Sequence, residues 1–553
     1  MIDADAQGGD HGRMVSALSA LARDPGSRDA IGLLAAAAGL ELPAELPIDR
    51  PEVDVDLPIA RLGYELGRQM HRYPIYRRGR DVVIIDPATG ETETMDRVLF
   101  RSWVETRVTT CKTVGKGQRI EVTMSETTAA GVLRSHEFRH ALPALAGVHM
   151  VRQPVLREDG SMELLPVGYD QESGVYTVES VPYPLDMDVD EAVAWLRDLI
   201  AEFPFGRDEE EDGSVMTNRN AAVQIAAMVG MYCRAMFPPG TPRPMLLWVA
   251  NQPGTGKTRL AQMVLAAVFG LPDTTDVPQS PEEWVKTLAT EACAFSPYVF
   301  FDDAQNGLWS GPLNRFIVAT SHSGRIMRSQ DKFRVPNVSQ VLATGQSLRL
   351  TPDLERRSLI CDMFLHGEVR GREFSQVLTE GWLGSIANRS RMLAALWAMV
   401  RTWDDMGRPA GLPGARVWPA LETFEVWSSV VAGIVRTAGW ADPLAPARVP
   451  NIGDTEGQEV RRLLVLAADA IPDGDSRMEW TRADLVSLAR QHELLEDLVG
   501  VAGGPDMKPA EMSRWGKVLG KWLARELVRT DGRRFRFGRR ASRSGQRYPV
   551  RLL

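Results

Sequence analysis

The sequence predicts a multidomain α/β protein: an α+β N-terminal domain, a nucleotide-binding α/β core, a helical region and a C-terminal winged helix. Three observations lead there. The chain has 553 residues, which at roughly 150 residues per domain makes about three to four domains. An apolar run, a glycine-containing loop and a helix-patterned segment follow one another at 245–269. Basic residues concentrate at one end: residues 514–551 hold 13 Lys and Arg against Glu526 and Asp531, a balance of +11, so the rest carries −19 within a net charge of −8. Such asymmetry is expected of an acidic body with a basic appendage that meets phosphate.

Composition narrows the class further. Hydrophobic residues make up 44% and charged residues 25%, enough apolar surface for several cores and unlike a collagenous or disordered chain. The longest nearly apolar stretch, 221–233 (AAVQIAAMVGMYC), is shorter than the roughly 18 residues of a membrane helix and contains Gln224, so no membrane partner is expected. The start, MIDADAQGGDHGR, is acidic where a signal peptide is basic and then apolar. Cys111, Cys233, Cys293 and Cys361 are too few and too scattered for a disulfide framework. The cytoplasm is the expected location.

In chain order, residues 1–58 read as short Ala/Leu-rich helices and an acidic, proline-punctuated linker. Residues 59–190 mix helical patterns with strand-like runs such as DVVIID (81–86) and MELLPV (162–167), and Asp159-Gly160 and Gly174 mark hairpins. Residues 191–375 form the nucleotide core. Residues 376–470 carry Trp382, Leu393, Leu396, Trp397, Val400 and Trp403 at helical spacing, which reads as core rather than as a base-stacking platform. Residues 471–553 form the basic unit.

The core carries the chemistry. MLLWVA (245–250) is an apolar strand running into NQPGTGKT, and the next segment places Leu260, Met263, Val264, Ala267 and Val268 on one helical face. This is the context a P-loop requires: glycines admit backbone N–H groups to phosphate, and the helix N-terminus adds its dipole. Pro253, Gly254, Thr255, Gly256, Lys257 and Thr258 are the expected ATP-binding residues, with Lys257 reaching the β and γ oxygens and Thr258 on Mg²⁺. Asn251 stands where the consensus has its first glycine.

A P-loop needs a metal-ordering acid on a neighbouring buried strand, and PYVFFDDAQ (297–305) supplies Asp302 for Mg²⁺ and Asp303 to orient or deprotonate the attacking water. A strand closing in an Asx turn reads the same way. SQVLATGQS (339–347) is a further apolar strand with polar groups, so Thr344 and Gln346 are candidate γ-phosphate sensors. Arg356 and Arg357 precede another apolar strand, where a pair can act as an arginine finger in a neighbouring subunit or be a surface pair neutralised by Asp353 and Glu355.

This order of motifs resembles the AAA+ ATPases of the superfamily 3 and MCM-like replicative helicases. More narrowly, it resembles helicase-like proteins of phages, pathogenicity islands and staphylococcal cassettes. PVLREDG (154–160), VGYDQESGVY (167–176), EFPFG (202–206), PGTGKT and ATGQSLRLTPDLERR carry the likeness, which spans roughly residues 140–440. The chain departs from the family at Asn251, Asp303 and Gln346. The resemblance implies a homo-oligomeric ring, usually a hexamer, that pulls a DNA strand through its centre. Arg325, Arg328, Lys332 and Arg334, between the acid and sensor strands, then fit a basic hairpin gripping phosphates in the channel, although a solvated loop has the same composition.

At the C-terminus, Trp515, Leu519, Trp522 and Leu523 share one helical face while Arg514, Lys517, Lys521 and Arg525 line another. RRFRFG and QRYPVRL follow as alternating strands joined through Arg539, Arg540 and Arg543, the pattern of a recognition helix and wing. Duplex or forked DNA is the expected partner, beside single-stranded DNA in the channel. His136-Glu137-Phe138-Arg139-His140 satisfies HExxH, but Pro143 ends the helix almost at the second histidine and no third ligand is evident, so no zinc is expected. The leading expectation is an ATP- and Mg²⁺-dependent DNA helicase or translocase replicating a phage or mobile element. The rival readings are a non-unwinding origin-binding initiator or helicase loader, and a nucleic-acid-sensing defence ATPase.

Overall fold

The computed structural model describes residues 50–115, 117–206, 214–304, 308, 310–325, 332–346, 348, 350–365, 372, 374–446, 455–472, 475–492, 494, 515, 519–520, 523, 526–528, 533–542 and 545–552. The helices expected in 1–49 and the expected DNA contacts Arg328, Arg514, Lys517, Lys521, Arg525 and Arg543 lie outside the described residues. The chain divides into two units, Met1–Pro182 with Arg234–Met236, and Tyr183–Cys233 with Phe237–Leu553.

In the first unit, helices Ile59–Met70, Glu126–Arg134 and His136–Ala141 enclose Leu62, Leu66, Met70, Val132 and Phe138. Gly63 and Gly67 permit the close approach, since a Cβ on either would collide with Ser135 or Ala141. Helix Arg97–Glu105 starts where Asp96 accepts from the N–H groups of Val98 and Leu99, both at 2.8 Å. Both expected hairpins form: Pro154–Leu156 pairs with Met162–Leu164 across Gly160 at φ +86°, and Gly168–Asp170 pairs with Val175–Thr177 across Gly174 at φ +69°.

The second unit opens with α1 (Val189–Ile200) and α2 (Arg219–Tyr232), then β1 (Met245–Ala250), α3 (Lys257–Phe269), α4 (Pro281–Ala294), β2 (Tyr298–Phe301) and α5 (Gly311–Val318). It continues through β3 (Ser321–Arg325), β4 (Lys332–Pro336), β5 (Gln340–Gln346), the single turn α6 (Pro352–Glu355) and β6 (Ser358–Met363). β2, β5, β1 and β6 form one parallel sheet in that order. β1 is buried along its length, which its unbroken apolar run requires. Its odd positions, Met245, Leu247 and Val249, join a core with Trp284, Leu288, Leu313 and Phe316 from α4 and α5. On the other face, Trp248 donates its indole N–H to Gln224 of α2 at 2.8 Å, and the Gln224 amide donates to the Leu260 carbonyl of α3 at 3.2 Å. The polar residue inside the longest apolar stretch is thus buried and satisfied within the core. Among the described residues no helix is long and apolar enough to cross a membrane.

α7 (Ile386–Asp405) and α8 (Glu425–Thr437) form the helical region. Leu393, Leu396, Val400 and Trp403 are buried, and the Trp403 indole donates to the Pro409 carbonyl at 2.9 Å, so this stripe is core, with Trp382 and Trp397 half-buried. After it come α9 (Thr455–Asp469), β7 (Arg477–Thr481), α10 (Arg482–Gln491), β8 (Glu526–Val528), β9 (Arg534–Phe537), β10 (Arg540–Ser542) and β11 (Gly545–Leu552). The antiparallel sheet runs β7-β11-β9-β8, with β10 folded back on β11. Thr481 and Asp484 form a capping box at the start of α10. Trp515 and Leu519 are buried with Leu463, Leu485, Phe535 and Tyr548.

Candidate nucleotide-binding and hydrolysis site

The loop after β1 is shaped by two glycines in left-handed conformations, Gly254 at φ +76° and Gly256 at φ +102°. Gly256 is doubly constrained, because a Cβ there would also lie 2.7 Å from the Phe203 ring. It begins α3 without a side-chain cap, so the first N–H groups of a 13-residue helix have no side chain competing with an anion. Pro253 and Gly254 are exposed; Thr255 is buried, with a hydroxyl that meets no partner among the described residues.

Asn251 explains its own departure from the consensus. Its backbone does not adopt positive φ, so glycine is not required, and its side chain closes a two-way clasp. The amide N–H donates to the Leu365 carbonyl at 3.0 Å while its oxygen accepts from the Leu365 N–H at 3.0 Å. Gln252 donates to the same carbonyl at 3.0 Å, and Gln346 donates to the Asn251 carbonyl at 3.5 Å. The clasp ties the start of the phosphate loop to the segment following β6. No local pattern in the sequence marks it.

The acids arrive differently from the sequence expectation. β2, which ends at Phe301, does not neighbour β1; β5 lies between them. The acid still reaches the loop, because Phe301 pairs with Ala343 and Trp248 with Thr344, which sets Asp302 beside Thr344 at the sheet's C-terminal edge. Thr258 donates its hydroxyl to Asp302 Oδ1 at 2.8 Å, and the Thr344 hydroxyl donates to the same oxygen. The Asp303 N–H donates to Thr344 Oγ1 at 2.9 Å. Thr344 is fully buried, and its hydroxyl is engaged with both acids. Gln346, two residues on, is the exposed polar group of this strand. Asp303 takes φ +52°, a left-handed turn that Asp tolerates better than most residues, and is 52% exposed. Lys257 Nζ, on a side chain only 11% exposed, lies 3.6 Å from Asp303 Oδ1.

Arg356 and Arg357 lie at the other end of the sheet. Ser358 pairs with Met245 and the Met245 N–H donates to the Arg357 carbonyl at 3.0 Å, so the pair flanks the N-terminal edge. β1 has 6 residues, which at about 3.3 Å each separates that edge from the chain's own phosphate loop by roughly 20 Å. The two side chains differ. Arg357 is 20% exposed, donates to the Asn314 carbonyl at 2.7 Å and pairs with Asp353 at 3.1 Å. Arg356 is 59% exposed and paired with Asp353 at 2.5 Å and Glu422 at 3.7 Å; the hydrogen bond to Asp353 raises its pKa further.

Of the expected DNA contacts, Arg325 and Lys332 face each other in register across the antiparallel hairpin β3–β4, and Arg334 of β4 donates to Ser321 at 3.2 Å. Phe333 seats the hairpin with its ring 6.0 Å from His322, whose pKa burial lowers, and a Cβ on Gly324 would meet that ring at 2.6 Å. Arg539 and Arg540 are exposed at the turn into β10. The HExxH residues occupy a six-residue helix whose two imidazoles stack with ring centroids 3.9 Å apart.

No protein-family profile matches the chain, and no curated protein matches it. Among solved structures, the apo A form of the NrS-1 C-terminal region is 11% identical, with a TM-score of 0.33 over 87% of this chain and 96% of that one. A structure described as the SCCmec type IV Cch active helicase is 10% identical, with a TM-score of 0.29 over 80% of this chain and 92% of that one. At such identities and TM-scores the likeness assigns no activity.

Proposed function

We propose that the chain is an ATP- and Mg²⁺-dependent DNA helicase or translocase with an AAA+ core, working in the cytoplasm as a ring of identical subunits, a hexamer, in the replication of a phage or mobile element. One observation carries the reading: Lys257, Thr258, Asp302 and Asp303 gather at the mouth of a glycine-shaped loop, with Thr344 fixing both acids from beneath. Thr258 and Asp302 offer hard oxygen donors 2.8 Å apart, a donor set that fits Mg²⁺ completed by water and phosphate oxygens. Mg²⁺ held by Thr258 and Asp302 would supply neutralisation of charge on the phosphates. Lys257 would exchange Asp303 for the phosphates, Asp303 would then offer its carboxylate to the attacking water, and Gln346 would orient the γ-phosphate side. Arg356 cannot reach its own nucleotide, which supports a role at the neighbouring subunit's.

The β3–β4 hairpin would grip the threaded strand through Arg325, Lys332 and Arg334, with Arg328 at the tip. The unit built on α9, α10 and β7–β11 would act as a winged helix, with Arg539, Arg540 and Arg543 lining its wing and Arg514, Lys517, Lys521 and Arg525 its recognition helix. Unwinding of a forked duplex on ATP addition is the deciding assay. ATP-dependent assembly on DNA without strand separation would point instead to an initiator or loader. The Asn251 clasp adds a finer expectation: Asn251→Gly supplies the consensus residue yet removes both bonds to Leu365, and should raise KM for ATP roughly tenfold with kcat within about threefold of the parent. An unchanged KM would show that the clasp does not order the loop.

A further inference from the structure

The strand and helix around the HExxH segment hold a set of basic groups that nucleotide chemistry leaves unused. Arg77 lies in the strand Ile75–Arg78, its backbone fixed by bonds to Pro143 and Leu145, each at 2.8 Å. Its guanidinium is half-buried; Nε is shut off from solvent and, among the described residues, the group meets no acceptor and no carboxylate. A donor with no protein acceptor is satisfied by water or by an acceptor that arrives from outside the fold, and Arg77 is open to either.

Its neighbours add to the demand. His136 and His140 are exposed and stacked, and neither imidazole has a hydrogen-bond partner among the described residues. Arg139 is pinned as a fixed positive charge by the carbonyls of Arg134 at 3.0 Å, Ser135 at 3.2 Å and Arg80 at 3.3 Å. Desolvation and then the positive neighbours His136, Arg77 and Arg139 lower the pKa of His140; no carboxylate acts on it. Beyond Arg77 stands Tyr169, half-buried, its hydroxyl donating to the Ala144 carbonyl at 2.7 Å and its ring 5.0 Å from Tyr76. The carboxylate that acts on Tyr169, Asp170, is paired with Arg157 at 2.9 Å, so the unpaired charge here is that of Arg77, a sign that disfavours a divalent cation and favours a phosphodiester.

We infer that Arg77, His136, His140 and Tyr169 form a binding site for single-stranded DNA on the first unit, separate from the hairpin and the basic C-terminus. The guanidinium and imidazole N–H groups take backbone phosphates, and the Tyr169 ring offers a face on which a base can stack. The choice of DNA as the polyanion rests on the motor reading; the anion site itself does not.

The test uses the intact chain without nucleotide and a fluorescent oligothymidylate, titrated over a range of salt. Arg77→Gln should weaken binding roughly tenfold. It should also flatten the slope of log affinity against log salt by about 0.7, the effect of one lost phosphate contact on a single strand. Lys112→Gln is the control, because that cation is already paired with Asp56 at 3.1 Å, and it should change neither quantity. Thermal melting of Arg77→Gln should match the parent, since no protein bond is lost. An unchanged slope in Arg77→Gln, or an equal loss in Lys112→Gln, overturns the site; weakened binding of duplex alone overturns the single-strand assignment. ATP hydrolysis by the parent is measured alongside: its absence sinks the motor reading and leaves the outcome for the anion site independent.

Discussion

Lys257→Ala is expected to lower ATP hydrolysis by at least about 10³-fold while the protein stays folded. The magnitude follows from the proposed role of the ammonium: as the one cation of residues 251–258 it would meet the charge that builds on the β and γ oxygens, and removing such a fixed partner typically costs about 10²–10³ or more in kcat. The fold should not notice. The only ion-pair partner of Lys257 among the described residues is Asp303 at 3.6 Å, and Asp303 is half-exposed, so the pair is worth no more than about 1 kcal/mol. A steady-state phosphate-release assay beside a melting curve separates the two effects. Turnover that survives with an unchanged melting temperature would reject the phosphate-loop assignment.

Arg356→Ala should cost a comparable factor, about 10³ or more, through a different subunit. The reasoning is geometric, since a side chain at the N-terminal edge of a parallel sheet faces away from the chain's own loop at the C-terminal edge. Mixing gives the sharper readout. Lys257→Ala and Arg356→Ala proteins, each inactive alone, should regain part of the activity when combined, because some interfaces then pair an intact lysine with an intact arginine. Arg357→Ala should behave otherwise: it removes the bonds to Asn314 and Asp353 and should lower stability by about 1–3 kcal/mol with a smaller direct effect on the chemistry. Hydrolysis preserved in Arg356→Ala, or no recovery in the mixture, would remove the trans role.

Much of this site is readable along the chain because a phosphate loop is a local object. Strand, glycines, lysine and helix are contiguous from 245 to 269, and each step has a backbone reason: an unbroken apolar run for a strand buried on both faces, glycine where φ is positive, a helix start with bare N–H groups. The hairpins at Gly160 and Gly174 and the capping box at Thr481 are local for the same reason.

Adjacency across the sheet is not local. The apolar runs at 298–301, 340–346 and 358–363 announce buried strands but carry no information on their order, so the acid strand was expected beside β1 and instead has β5 between them. On that inserted strand the buried Thr344 hydroxyl donates to Asp302 and accepts from the Asp303 N–H. Likewise, Arg356 and Arg357 are equivalent as letters; only their surroundings make one an anchored strut and the other an exposed cation. The sequence by itself therefore determined the strand–glycine loop–helix unit at 245–269 and the local turns and caps, because each depends on residues within a few positions of one another. The tertiary structure alone decided which acid meets which hydroxyl, why an asparagine replaces glycine at the loop's start, and which arginine is available. Those outcomes depend on parallel strand order and burial, which bring together groups 42 and 114 residues apart, as in Asp302 with Thr344 and Asn251 with Leu365.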